Sequence, residues 1–386
     1  MAVRQYRLGP LYRVIGVAAE AVVFLAGRRC RPARELPADP KSIFVLRNND
    51  IGDLIVTTPL FDALRRRFPK AHIVAAVGSW NLAPLENNPH ISEVFRLDAP
   101  WYNHFTSPRS IADAFRFARH SPVLGELKSR KFDIGIDVLG SHFGSMLMIR
   151  AGIPYRVGMK GYAGGHSALS ATAPFTDREH VTRNILRLAE SLGATDLPGP
   201  RPQLFLSDAE RAAAECAWTN GRSAGLPRIL IGCGGKSKKV WPIDYWRELG
   251  RGLSRRADVT LGIIGGPQDI EIGRQMQAAT ASDLNWTGSV TLRETFALVA
   301  AADLVICNDS MLSHVAAAFA KPALTLLGPS YDSASDQARV WGYPLPSRMV
   351  GKEGPGSQMT TPQEGLALID EIGREVGFWP DGRSTR

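Results

Sequence analysis

Short apolar runs alternate with helical stripes along most of the chain. Ile43–Leu46 is a run of four apolar residues, as expected of a parallel strand buried on both faces. Leu60, Leu64 and Phe68 then fall on one helical stripe, which Pro69 closes. Ile73–Val77, Val94–Leu97 and Ile134–Val138 are further strand candidates, and Val181–Leu192 reads as a helix stopped at Gly193. Residues 194–203 carry Pro198, Gly199, Pro200 and Pro202, the composition of an interdomain hinge. Beyond it the pattern starts again. Arg228–Gly232 is a strand entering a glycine-rich loop, Gly232-Cys233-Gly234-Gly235-Lys236, and a helix begins near Ile243. Val259–Ile264, Leu304–Ile306 and Ala323–Leu327 read as strands. Thr291–Ala301 reads as a helix with a Thr291/Glu294 capping box. Pro362–Val376 reads as a closing helix. Two successive α/β halves predict two doubly wound, Rossmann-like domains facing across a cleft. The expected divisions are an N-terminal extension over 1–40, domains over 41–200 and 201–355, and a closing helix and tail over 356–386.

The N-terminal segment follows a different pattern. Val14–Ala26 is apolar except for Gly16 and Glu20, and Arg4, Arg7, Arg13, Arg28, Arg29 and Arg31 flank it. It is shorter than the roughly 20 apolar residues a spanning helix needs. No small-x-small cleavage site follows it. On a helical wheel Arg13, Gly16, Glu20 and Gly27 gather on one side, while Leu8, Leu11, Ile15, Val22 and Ala26 lie elsewhere. Such a helix can lie on an anionic bilayer, or it can dock on the protein's own surface. Both readings stay open.

Composition narrows the partners. The chain has 386 residues, 44% hydrophobic and 22% charged, with a net charge of +9. That length supports two cores, and the charge favours an anionic partner. Nucleic acid ranks last, because none of the usual binding signatures occurs. Cys30, Cys216, Cys233 and Cys307 show no paired spacing, which suits a reducing cytoplasm better than disulfides or a zinc site.

Two segments carry candidate chemistry. The first, Arg47-Asn48-Asn49-Asp50-Ile51-Gly52-Asp53, follows the first strand. Gly52 allows a close turn, and Asp53 stands on a loop where it could serve as a base. Asp53 could equally be a helix cap, and Asp50 is expected to be structural. The second, Asn308-Asp309-Ser310-Met311-Leu312-Ser313-His314, follows Leu304–Ile306 and opens a helix. Helix N-termini bind phosphate through free N–H groups. Lys239, in Lys239-Val240-Trp241-Pro242, is a candidate for stabilising a departing anion, with Lys236 and Lys238 in support. Trp241 is expected in the core. Trp101, Tyr102, His104 and Phe105 could stack on sugars or anchor a loop. Arg65-Arg66-Arg67 reads as a solvated face, and His142, Lys160 and His166 sit in glycine-rich segments suited to a mobile loop.

Taken in order, these motifs resemble glycosyltransferase family 9, the heptosyltransferases of lipopolysaccharide core assembly. The likeness runs from about residue 43 to about 331. It rests on Phe44–Asp53 with Thr58-Pro59-Leu60, Pro69–Ile73, Asn88-Pro89, Lys239–Pro242, Thr287-Gly288, Ala301–Leu304, Asp309–His314 and Gly328-Pro329-Ser330. It implies a GT-B fold and an inverting, metal-independent sugar transfer with no cofactor. The implied donor is a nucleotide sugar, ADP-heptose first. The implied acceptor is an anionic lipid-linked glycan, reached from the cytoplasm with peripheral contact to the inner membrane. Asp53 and Lys239 match the family's catalytic positions. Gly234, Gly235, Lys239, Asp309, Ser310, Met311 and His314 match its nucleotide-sugar site, and Gly52 and Asn49 fall on the acceptor side. The family often has hydroxyl residues where Gly234 and Gly235 stand, so backbone N–H groups would serve there. Met311 replaces its usual glycine, which favours a changed donor. A different nucleotide sugar, a sugar-nucleotide epimerase and a non-catalytic glycan-binding protein remain alternatives.

Overall fold

The computed structural model describes residues 10–106, 110–219, 225–235, 239–256, 259–354 and 356–377. Lys236, Lys238, Arg4, Arg7 and Leu8 lie outside them, as do the side chains of Leu11, Arg13 and Ile15. The chain divides into two compact units, Met1–Pro202 and Gln203–Arg386.

Unit 1 contains β1 Ser42–Leu46, β2 His72–Val77, β3 Glu93–Arg96, β4 Ile134–Asp137, β5 Tyr155–Lys160 and β6 Ala171–Pro174. Its helices are α1 Pro10–Arg29, α2 Ile51–Ile55, α3 Thr58–Arg67, α4 Ile111–His120, α5 Val123–Ser129, α6 His142–Arg150 and α7 Val181–Glu190. Unit 2 contains β7 Arg228–Gly232, β8 Thr260–Ile263, β9 Leu284–Asn285, β10 Leu304–Asn308, β11 Ala323–Leu326 and β12 Arg348–Val350. Its helices are α8 Asp208–Thr219, α9 Ile243–Ser254, α10 Ile270–Thr280, α11 Leu292–Ala301, α12 Met311–Ala318, α13 Ala334–Trp341 and α14 Pro362–Glu375.

Every strand pairing is parallel, and the two sheets share one topology. The first runs β3-β2-β1-β4-β5-β6 and the second β12-β11-β10-β7-β8-β9. Each unit is therefore a Rossmann-like doubly wound sheet, and together they make the expected GT-B architecture. In such sheets the order reverses between the first and fourth strands, and ligands bind beyond the carboxyl ends there. Those switch points lie between β1 and β4, and between β7 and β10. The apolar runs read from the sequence supply the buried central strands: Ile43–Leu46, Ile229–Ile231 and Leu304–Cys307 are all at most 1% exposed.

Several expectations need correction. Asp53 lies in the first turn of the short helix α2, not on a loop; Asp50 is its N-cap residue, and Gly52 is helical rather than left-handed. Arg65, Arg66 and Arg67 do not form a bare solvated face. Arg65 donates to the carbonyls of Pro69 and Ala71, Arg66 pairs with Asp62 and Asp196, and Arg67 donates to the Leu192 carbonyl. His142 opens α6, Lys160 ends β5, and His166 begins the short 3-10 turn 166–168. The glycine-rich stretch between them is bonded in place.

The agent of that bonding is α1. Its Glu20 carboxylate accepts from the backbone N–H of Gly165 at 2.6 Å and of Ser167 at 2.8 Å, and lies 3.1 Å from His142 Nε2. These bonds hold Glu20 below the usual carboxylate range, although its burial opposes them. A Cβ on Gly27 would come within 2.8 Å of Ala168 Cβ, so glycine permits the close approach. Just past α1, the Cys30 carbonyl accepts from the buried Arg156, whose guanidinium also donates to Ile153 and Ala168. The helix thus docks on the protein's own surface along one side: Ala19, Glu20, Val23 and Gly27 turn inward, and Val17, Val22, Phe24 and Leu25 are exposed. Among the described residues no helix is long and apolar enough to cross a membrane.

Candidate active site

In unit 1 the candidates gather at the carboxyl end of β1. Arg47, only 4% exposed, donates through Nε to the Asp53 carbonyl at 3.2 Å and through Nη2 to Asp53 Oδ1 at 3.3 Å. The N–H of Asp50 also donates to the Asp53 carboxylate. Burial nevertheless outweighs these attractions and raises the Asp53 pKa. A carboxyl pushed toward neutrality, yet still tied to a guanidinium, is suited to accept a proton. Tyr162 lies close enough that the Asp53 charge, together with burial, pushes its phenol up to about 12.

Asn49 is buried. Its Nδ2 donates to the Tyr102 carbonyl at 2.9 Å, and its own carbonyl accepts from Trp80 Nε1 and Asn81 Nδ2. Its Oδ1 is buried without a partner among the described residues. Asp50 Oδ2 is 2.6 Å from His104 Nδ1, which supports its structural reading. Trp101 packs among Phe117 and Phe143 in the core, whereas Tyr102 and Phe105 are exposed. Across the switch point Asp137 ends β4, and its carboxylate accepts from Ser141 N–H and Oγ and from Leu139 N–H. Ser141, held by that carboxylate, caps α6 by accepting from Gly144 N–H.

In unit 2 Lys239 and Asp309 meet beyond β7 and β10, with Lys239 Nζ 3.4 Å from Asp309 Oδ2. Asp309 Oδ2 also accepts from Tyr331 Oη and from Gln337 Nε2 at 3.2 Å. Lys239 is half-exposed and lies 5.7 Å from the centre of the Tyr331 ring. Its place depends on Gly328, whose N–H donates to the Lys239 carbonyl; a Cβ on Gly328 would fall 2.4 Å from the Val240 carbonyl oxygen. Trp241 is fully buried.

The glycine loop is braced from two sides. Asn308 Nδ2 donates to the carbonyls of Cys233 and Gly234, while its Oδ1 accepts from Trp241 N–H. Asp269 accepts from Gly235 N–H at 3.3 Å and from Gly266 N–H at 2.9 Å. The Gly235 N–H, expected to serve a ligand, is therefore engaged. A Cβ on Gly234 would lie 2.2 Å from the Asp269 carboxyl carbon, so that position has no room for a side chain.

Ser310 caps α12 by accepting from Leu312 N–H, and Met311 is the first helical residue. His314 is 5% exposed, its Nδ1 2.8 Å from Tyr343 Oη and its ring near Trp341. Burial lowers its pKa to about 4, so the ring is neutral at pH 7 and braces α12. Among the described residues no group of three or more His, Cys, Asp or Glu could hold a metal ion. Arg47, Tyr162, Asp269, Tyr331 and Gln337 went unassigned in the sequence. Only Arg47, a charge directly after an apolar strand, left a signal there.

Comparison with known proteins adds to this geometry. Lipopolysaccharide heptosyltransferase 2 of Escherichia coli is 26% identical over 306 residues, covering 75% of this chain and 83% of its own. Lipooligosaccharide heptosyltransferase 2 of Haemophilus influenzae is 23% identical over 355 residues, covering 86% and 99%. The solved structure of E. coli ADP-heptose lps heptosyltransferase II shares the fold, with a TM-score of 0.67 at 23% identity over 87% of this chain and 99% of that one. The family model described as glycosyltransferase family 9 (heptosyltransferase) matches residues 123–337, more than half of the chain. With two Rossmann-like sheets and polar residues gathered at both switch points, the protein is a member of glycosyltransferase family 9.

Proposed function

We propose that the protein transfers a heptose from ADP-heptose to a lipopolysaccharide-core or similar anionic lipid-linked glycan, at the cytoplasmic face of the inner membrane. The names of its relatives support this donor and acceptor. Asp53 takes the proton of the acceptor hydroxyl as that oxygen bonds to the anomeric carbon. The bond from that carbon to the ADP phosphate oxygen breaks, and the leaving pair stays on the diphosphate. A single displacement of this kind inverts the anomeric centre. Lys239, oriented by Asp309, meets the charge that develops on the diphosphate, so the reaction needs no metal or cofactor. Ser310 and the first turn of α12 face the phosphates. Asn49 and Gly52 fall on the acceptor side.

One observation carries this reading: the Asp53 carboxyl is raised by burial, paired with Arg47, and set at the switch point of its sheet. The test incubates the protein with an O-deacylated core acceptor and, in parallel, ADP-heptose and UDP-, GDP- and dTDP-linked sugars. Nucleotide release and the anomeric configuration of the product are read together. Turnover with ADP-heptose alone, giving an inverted product, is expected. Preference for another nucleotide sugar, or full turnover by Asp53→Asn, would overturn the reading.

A further inference from the structure

The outward face of α1 has no packing partner among the described residues. Val17 is 72% exposed, Leu25 60% and Phe24 46%, with Ala18, Ala21 and Val22 between them. At 100° per residue these positions share one side of the helix, and Arg28 and Arg29 end it on that side. An exposed apolar stripe of this kind marks an interaction surface. The inward side is fastened by Glu20, Val23 and Gly27, so the stripe is presented on a fixed helix.

Charge selects the occupant. Arginines at the end of the stripe and a net charge of +9 suit an anionic surface. A second copy of the chain would bring the same arginines and the same net charge against them. The inward contacts also lead toward the candidate base. Glu20 holds the backbone of Gly165 and Ser167, and the same loop carries Tyr162, the neighbour of Asp53.

We propose that the outer face of α1 lies on an anionic lipid surface, and that Glu20 couples this seated helix to the loop beside Asp53. The purpose of this arrangement rests on the proposed function, but lipid binding itself needs neither donor nor acceptor.

The test is flotation of the full-length protein with vesicles of phosphatidylcholine, alone or mixed with phosphatidylglycerol. Binding is expected to the mixed vesicles and to weaken with salt. Val17→Glu with Leu25→Glu should weaken it by at least about tenfold, since apolar burial drives insertion. Arg28→Glu with Arg29→Glu should weaken binding to the anionic vesicles by at least about tenfold and leave the phosphatidylcholine result unchanged. All four residues are exposed, so the melting temperature should hold; a fall in it would shift the test to the arginine pair. No flotation of the wild-type protein, or flotation of either double variant equal to that of the wild type, would overturn the proposal. So would a wild-type dimer in light scattering that becomes monomeric in Val17→Glu/Leu25→Glu, because the face would then belong to a second copy. Lost heptosyl transfer with intact flotation would count against the enzymatic reading alone.

Discussion

Asp53 is harder to ionise than a free aspartate, because burial outweighs the attraction of Arg47. Burial raises its folded pKa above the ordinary 3.8, so ionisation costs stability as pH rises through that interval. Asp53→Asn removes that cost and retains the Arg47 bond to the residue 53 carbonyl. Turnover is expected to fall by about 10²–10⁴-fold, while the melting temperature at pH 7 does not fall. In the wild type the acidic limb of kcat/KM should lie above 3.8; a limb at or below it would remove Asp53 as the base. Tyr331 works through Asp309. Tyr331→Phe leaves Asp309 with Lys239 and Gln337 but deletes one bond to a carboxylate, a loss of about 1.5–3 kcal/mol where it is fully used. Donor KM is expected to rise at least about tenfold, and the melting temperature to fall by a few degrees; an unchanged KM would leave Tyr331 a structural role alone. The sequence displayed Asp53, Lys239 and Asp309 because they sit in or beside apolar strands and glycine turns. It did not display Tyr331 or Gln337, which approach Asp309 from 22 and 28 residues away.

At the scale of the element, close approaches decide what can change. Gly328 follows β11 and lies against the Lys239–Val240 backbone, where a Cβ has no room. Gly328→Ala is expected to destabilise by about 1–3 kcal/mol in urea titration and to slow turnover with it. Gly199→Ala, in open space, should change neither. Glu20 makes the opposite electrostatic case from Asp53. Its folded pKa is depressed, so its contribution is present above the ordinary 4.5 and is lost as pH falls below that value. The melting temperature of the wild type should therefore drop more steeply below pH 4.5 than that of Glu20→Gln; parallel curves would show that the Glu20 bonds contribute nothing. Apolar runs exposed β1, β7 and β10, whereas β5 was missed. Its Arg156 breaks the apolar run, and its burial depends on the carbonyls of Ile153, Ala168 and Cys30, which lie 3, 12 and 126 residues away. Helix α2 was missed because five residues including a glycine make too short a stripe to see. The orientation of α1 stayed open in the sequence: Glu20 turns inward because Gly165 and Ser167, 145 and 147 residues on, offer it N–H groups.

At the scale of the molecule, each unit has its own core, built around Phe44 and Leu46 in one and Ile229 and Ile306 in the other. Under the proposed function the nucleotide contacts lie in unit 2. Calorimetry with ADP at about 100 times its Kd should stabilise the transition of that unit by about 2.7 kcal/mol and leave any separate transition of unit 1 in place. A uniform shift of a single transition would show that the two units melt together. The division between Pro202 and Gln203 has one more consequence, for inheritance. Asp53 and Arg47 lie wholly before that seam; Lys239, Asp309, Tyr331 and Gln337 lie wholly after it. A crossover between two related genes at this point would exchange one complete set of partners for another. New pairings of donor with acceptor could then arise by recombination, with neither half rebuilt residue by residue.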